Sequence, residues 1–184
     1  MSKIILLTKK DEWSAHAARL ARIVFQDVIW LAGNVGDPMP EIPEGDIISF
    51  LCPWVIPNPT PNSINFHPGD EWHPGTGCYN FALHNGAEYF GATCHYMEEG
   101  VDSGDIIKRV RFPIFPNDTV ETLKFRTMVA MLEMFHKVIV RLAIGKPLRQ
   151  SNVTWKRKPY TRKELNQLYA DFPHTRATTY PDKI

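Results

Sequence analysis

The sequence predicts an α/β fold: a shortened, Rossmann-like and mostly parallel sheet, extended by an antiparallel hairpin and followed by a C-terminal helix. Three observations predict it. Short runs rich in isoleucine and leucine recur at residues 3–8 (KIILLT), from Asp27 (DVIWLAGN) and from Asp46 (DIISFLCPWVIP), the pattern of strands buried on both faces. A helical stripe separates the first two. Further on, GATCHYM and DIIKRVRFPI read as two strands joined by the loop EEGVDSG.

The elements follow in order. Trp13, Ala17, Leu20, Ala21 and Val24 fall at helical spacing behind Asp11, a candidate cap, so the opening reads strand, helix, strand with the usual right-handed crossover. Residues 35–45, VGDPMPEIPEG, carry three prolines and cannot hold a packed helix. A loop therefore joins the second and third strands. It is barely long enough for a parallel crossover, which predicts that the third strand skips a place in the sheet. SINFHPG at 63–69 ends a fourth strand; CYNFALHNG, with Tyr79 and Leu83, reads as a short helix stopped by Gly86. In the hairpin, Lys108, Val110 and Phe112 alternate with Ile107, Arg109 and Arg111, leaving one face wet. From Asp118, DTVE is a capping pattern; Val120, Leu123, Met131, Phe135, Val138 and Leu142 form a stripe, closed by Gly145 and Pro147. A final helix starts from Thr161, with a polar tail behind it. Residues 1–150 form the main domain, and 151–184 a basic extension packing on it.

Composition narrows the function. With 43% hydrophobic and 22% charged residues in 184, the chain is an ordinary soluble globular protein. Its formal charge of +1 gives no overall field to draw nucleic acid or an anionic membrane, so an anionic ligand must be held locally. Cys52, Cys78 and Cys94 are odd in number and form no CxxC pair, which fits buried, reduced thiols rather than a disulfide frame. No apolar run has the length of a signal-peptide core or a membrane span, and a cytoplasmic location is expected.

Three features carry chemistry. Asn65 and His67 stand two apart at a strand end and so point the same way; Gly75 to Gly77 open a helix beside them; Asp102 sits in a glycine-flanked loop. An amide donates to an oxygen turning negative, an imidazole exchanges protons near neutrality, and a carboxylate holds the imidazole or accepts a proton through water. No serine or cysteine stands in a nucleophile elbow. The set suits attack by a bound amine on a bound carbonyl. His95 alternates in TCHYM as a satisfied strand histidine does, and His136 in the long helix reads as packing or surface; the run Lys156, Arg157, Lys158, Arg162 and Lys163 could meet a nucleotide diphosphate but is read in preference as solvated surface.

SINFHPG, GTGCYNFALHNG, GATCHYMEEGVDSGDII and NDTVETL, in this order over roughly residues 46–145, resemble the core of the folate-dependent formyltransferase family. Within it NFHPG followed by PGTGCYNFAL is most similar to the N-formyltransferases that act on dTDP-linked aminosugars. The resemblance implies N10-formyltetrahydrofolate as donor, a nucleotide-linked amino deoxysugar as acceptor, and a homodimer with the exposed hairpin and terminal segment as candidate contacts. It puts the catalytic triad on Asn65, His67 and Asp102. Trp54, Val55, Ile56, Glu98, Gly100 and Val101 become the folate candidates, and His73, Gly75, Gly77, Tyr79 and Asn80 the acceptor-side candidates. The helix start at Gly75 to Gly77 is an alternative anion site. Only 64 residues precede Asn65, fewer than is usual in the family, which implies one missing strand-helix pair and an open cleft. The lack of a C-terminal barrel after the helix, with the neutral charge, speaks against methionyl-tRNA as acceptor. The alternatives are a metal-dependent hydrolase ligated by His67, His73 and Asp102, a formyltetrahydrofolate hydrolase, and a non-catalytic folate or nucleotide-sugar binding protein.

Overall fold

Six strands form one sheet in the order β2-β1-β3-β4-β5-β6, seen in a computed structural model that describes residues 3–176. The strands are β1 (Ile4–Lys9), β2 (Val28–Gly33), β3 (Asp46–Phe50), β4 (Ile64–His67), β5 (Tyr89–Tyr96) and β6 (Ile106–Pro113). The first four run parallel, and β5 and β6 form the antiparallel extension. The expected fold class is what the chain adopts. After the proline-rich loop, β3 pairs with β1 on the side away from β2, the skipped place that the loop's length predicts. One expectation is corrected here: β2 is an edge strand and only half-buried along most of its length, not enclosed on both faces.

Alternation along the strands divides the sheet into two faces with different cover. Ile4, Leu6, Ile48, Phe50, Ile64, Phe66, Ala92 and Cys94 pack against helices α1 (Glu12–Val24) and α3 (Val120–Ala143) in the largest core cluster. Phe135 of α3 stands edge-on to Phe50 and Phe66, with ring centres 5.3 and 5.0 Å apart. The opposite face carries Ile5, Leu7 and Ile47, packed with Ile56 from a loop. Continued toward β4 and β5, this second face turns polar, with Ser49, Asn65, His67, Thr93 and His95.

The helices form where the sequence places them, with one shift. Asp11 caps α1 by accepting from the Ser14 N–H, and Gly145 follows α3 with φ of +69°, the left-handed turn that ends the helix. The cap of α3 is Thr119, not Asp118: Thr119 and Thr122 make the reciprocal box, and Asp118 instead accepts from the Phe115 N–H and pairs with Arg126. The short α2 (Cys78–His84) and the last helix α4 (Arg162–Asp171, capped by Thr161) meet through Phe81, Tyr160, Leu165 and Leu168. The tail beyond 176 lies outside the described residues. Among the described residues no helix is long and apolar enough to cross a membrane.

Candidate active site

Register assembles the site. Ser49 of β3 lies beside Asn65 of β4, and Asn65 lies opposite His95 of β5, so three strands contribute one row of polar side chains on the same face. Ser49 Oγ donates to Asn65 Oδ1 at 2.6 Å, which turns the Asn65 amide nitrogen toward His95 Nε2 (3.1 Å) and Asp102 Oδ1 (3.3 Å). Asp102 arrives from the β5–β6 loop with φ of +46°, a left-handed conformation that aspartate tolerates better than most residues.

Four donors converge on that carboxylate. His67 Nδ1 stands 3.1 Å from Oδ2, the Gly75 N–H donates to the same oxygen at 2.8 Å, and Oδ1 lies 3.3 Å from both His95 Nε2 and Asn65 Nδ2. Burial alone pushes the Asp102 carboxyl up; the His67 charge, the His95 contacts and the Gly75 N–H outweigh it and hold the carboxyl down at about 2. Asp102 is therefore an anion throughout the physiological range. His67 Nε2 donates to the His73 carbonyl at 2.9 Å. Both ring nitrogens thus face acceptors, the arrangement that an imidazolium satisfies. His95 Nδ1 donates to the Tyr96 carbonyl at 2.7 Å; its Nε2, 3.1 Å from the Asn65 amide and 3.3 Å from the carboxylate, accepts from the first without a proton or donates to the second with one.

The 68–76 loop holds this geometry from below. Asp70, fully buried, meets His73 Nδ1 at 2.7 Å, and its second oxygen, 3.3 Å from Arg111 Nε, is attracted by charge without forming a hydrogen bond. Glu71 pairs with Arg109 of β6. From the C-terminal extension, Trp155 stands edge-on to both imidazoles at 6.1 and 5.3 Å and donates its indole N–H to the Gly104 carbonyl. Tyr160 bridges Gly75: the Thr76 N–H bonds to its carbonyl and its own N–H to the Pro74 carbonyl. Gly75 has φ of +86°, and a Cβ there would lie 2.3 Å from the Tyr160 oxygen, so only glycine fits.

Above the row opens a cleft of about 330 Å³. Leu51 to Ile56 form one wall and Met97 to Asp102 much of the other, and Asn65, His67 and His95 line it. Val55 and Val101, both lining residues, are 67% and 46% exposed, so the cleft offers apolar surface for a flat ligand to cover. Of the residues proposed for this cleft from sequence, Asn65, His67 and Asp102 come together, and Trp54, Val55, Ile56, Glu98, Gly100, Val101 and Gly75 all line it. Trp54 is also structural, since its indole lies on Gly33 and donates to the Asp37 carbonyl at 3.0 Å.

Four acceptor-side expectations meet a different environment. His73 is buried against Asp70 and lines a separate cavity; Gly77 presses on Leu165; Tyr79 packs on Phe90; Asn80 donates to the Thr175 carbonyl. None of the four is in the cleft lining. Ahead of α2 the Gly75 and Thr76 N–H groups are already bonded, to Asp102 and to the Tyr160 carbonyl. His67, His73 and Asp102 do not gather as ligands: among the described residues no three His, Cys, Asp or Glu side chains are arranged to hold a metal ion. Conversely, the sequence reading set aside His95, which stands in the row, preferred solvation for Arg162, which lines the cleft, and passed over Ser49 and Trp155, both of which touch the site. For His95 and Ser49 the available signal was strand alternation combined with register; for Arg162 it was the charge of the basic run, and for Trp155 there was none.

The pattern of the formyl transferase family matches residues 47–142, from β3 to the end of α3. The chain belongs to the formyl transferase family. Asn65, His67, His95 and Asp102 fall inside the matched stretch, whereas Trp155, Tyr160 and Arg162 lie beyond it. Within this family the chain is 40% identical over 91 residues to the trifunctional purine biosynthetic protein adenosine-3 of Drosophila pseudoobscura pseudoobscura, covering 49% of this chain and 7% of that protein. It is 26% identical over 107 residues to the phosphoribosylglycinamide formyltransferase of Escherichia coli, covering 58% and 50%. The chain thus spans half or less of the length of these curated relatives. In fold it is similar to the N-formyltransferase of Helicobacter canadensis in complex with folinic acid and dTDP-3-aminofucose (TM-score 0.72, 17% identity, 89% of this chain and 72% of that one). It is also similar to the formyltransferase PseJ of Anoxybacillus kamchatkensis in complex with UDP-4,6-dideoxy-4-formamido-L-AltNAc and tetrahydrofolate (TM-score 0.69, 22% identity, 91% and 90%).

Proposed function

We propose that this formyl transferase moves the formyl group of N10-formyltetrahydrofolate to the amine of a nucleotide-linked amino deoxysugar, by direct attack through a tetrahedral intermediate. The observation that carries the reading is the row of Asn65 and His95 closed by His67 and Asp102 at the floor of the cleft. The folded neighbours that hold a folate together with a nucleotide sugar support the choice of substrates.

The roles follow from the geometry. The amine nitrogen attacks the formyl carbon, and the carbonyl oxygen becomes an oxyanion. Asn65 Nδ2 has two N–H groups and is only half-buried, so one can reach that oxygen while the other stays on Asp102. His67, charged beside Asp102, exchanges its bond to the His73 carbonyl for one to the oxyanion and adds positive charge where negative charge develops. Asp102, with its carboxyl near 2, is a weak proton acceptor; its work is to keep His67 charged and aligned, while water beside it carries the ammonium proton to the departing N10. The pterin lies between the 51–56 and 97–102 walls and covers Val55 and Val101. The test is incubation with 10-formyltetrahydrofolate and a panel of dTDP- and UDP-linked aminosugars, with product read by mass. A formamide on one sugar supports the reading; formate released at equal rate without any amine replaces it with a hydrolase.

A further inference from the structure

We propose that Arg162 is the anchor for a phosphate group of the acceptor, an inference that rests on the formyl-transfer reading above but concerns a residue outside the family's matched stretch. Charge in the cleft singles it out. Among the residues lining the cleft, Glu98 and Asp102 are acidic and Arg162 is the one arginine or lysine. Asp102 is consumed by its four donors, and His67 and His95 face that same carboxylate. A phosphate entering the cleft therefore has one permanent cation to meet.

Arg162 is placed there rather than merely nearby. The parallel bridge between Gly75 and Tyr160 fastens the extension to the same glycine whose N–H holds Asp102, and Arg162 follows Tyr160 by two residues. It is the first residue of α4, so the helix fixes its Cα while the side chain stays exposed to the cleft. At the helix end Thr161 and Glu164 close a capping box that takes up the N–H groups of both. Arg162 itself makes no hydrogen bond or ion pair with the described residues.

The neighbouring arginines are engaged elsewhere. Arg157 lies over the Tyr160 ring and meets Glu164 at 3.2 Å. Arg111 lies over Tyr89 beside Asp70, and Arg109 holds Glu71. Of the basic run read from sequence as solvated surface, Arg162 is the member that turns into the site. Its fork of N–H donors suits two phosphate oxygens at once, which a lysine point charge does not reproduce. It lines the cleft together with Gly75 and Thr76, beside the glycine whose N–H holds Asp102.

The experiment compares the wild-type chain with Arg162→Ala, Arg162→Lys and the adjacent exposed control Lys163→Ala. Each is assayed with 10-formyltetrahydrofolate and either a nucleotide-linked aminosugar or the same aminosugar without its nucleotide, and each is titrated calorimetrically with thymidine and uridine diphosphate alone. For Arg162→Ala the acceptor KM is expected to rise about 10- to 100-fold, as loss of a charge-assisted contact implies. The loss appears in that KM rather than in kcat or in the folate KM, with Arg162→Lys intermediate and Lys163→Ala like wild type. With the bare aminosugar, wild type and Arg162→Ala are equally poor. Nucleoside diphosphate binding weakens by the same factor. If no acceptor is formylated yet diphosphate binding still depends on Arg162, the formyl-transfer reading falls and the anchor stands. The anchor is overturned by formylation with unchanged acceptor KM, by a rise in folate KM instead, or by diphosphate binding that ignores Arg162.

Discussion

Asp102→Asn isolates the charge at the centre of the site, because asparagine keeps the size and tolerates the positive φ of residue 102. An amide has one accepting oxygen where the carboxylate has two. If that oxygen takes the place of Oδ2, facing His67 and the Gly75 N–H, its NH2 replaces Oδ1 and confronts the Asn65 amide N–H; the other rotamer sets NH2 against the Gly75 N–H. Either way a donor faces a donor in a buried position. The carboxyl is held at about 2 in the folded chain against an ordinary 3.8. A depressed carboxyl stabilises the fold above the ordinary value and loses that contribution as pH falls through the folded one. The contribution is about 2 kcal/mol at neutral pH and falls to about 1 kcal/mol near pH 3. Denaturant unfolding of wild type and variant, repeated from neutral pH down to about pH 3, should show a stability gap that narrows by about 1 kcal/mol as the medium is acidified. Turnover at neutral pH should fall by about a hundredfold or more. A gap that stays constant across that pH range, or a variant with nearly normal turnover, refutes the assignment of Asp102 as the anion that holds His67.

Three further outcomes test the same construction. Asn65→Ala and His67→Ala should each lower kcat by about a hundredfold while far-ultraviolet circular dichroism stays that of the folded chain; retained turnover in either removes it from the oxyanion's donors. Cys52 lines the cleft, but burial pushes its thiol up to about 11, so alkylation by iodoacetamide at mildly alkaline pH, followed by mass, should run roughly a hundredfold slower than for a free thiol. Gly75→Ala places a Cβ on the Tyr160 carbonyl at a left-handed backbone position; the expected loss is about 2 kcal/mol or more in unfolding free energy by denaturant titration, with turnover falling as the N–H to Asp102 shifts.

How much of this was legible in the sequence depends on whether a residue's neighbours are local. The strand runs, the α1 stripe, the Thr161 start and the glycine stops are decided within a few residues, and they stand where pattern puts them. The skipped place of β3 was also legible, because a proline-rich loop limits where the chain can go next. The edge position of β2 was not, since an apolar run looks the same at an edge as in the centre. Asn65, His67 and Asp102 were singled out by chemistry and spacing and come together, but His95 was not: its place comes from standing opposite Asn65, a fact of register between residues 30 apart in sequence. The acceptor-side candidates lie away from the cleft for a related reason. Asn80, Gly77 and Tyr79 follow the site closely in the chain, yet the turn into α2 points them at the extension and the hairpin, while residues 155–162 return to the cleft from far downstream.

The division of the sheet explains how so polar a row can be held still. On β4, Phe66 is locked between Phe50 and Phe135, and each neighbour of Phe66 in sequence is a site residue pointing the other way. The apolar face thus supplies rigidity, and alternation delivers it to Asn65 and His67 on the other side of the strand. That frees the polar face to stay open to substrate. The cost of burying Asp102 there is offset by polar partners from three separate segments, β4, β5 and the 68–76 loop, and the loop is in turn fastened to the extension through the Tyr160 bridge. Displacing any one segment leaves the carboxylate short of a partner. A single carboxylate therefore couples the stability of the loops to the geometry of the reacting centre.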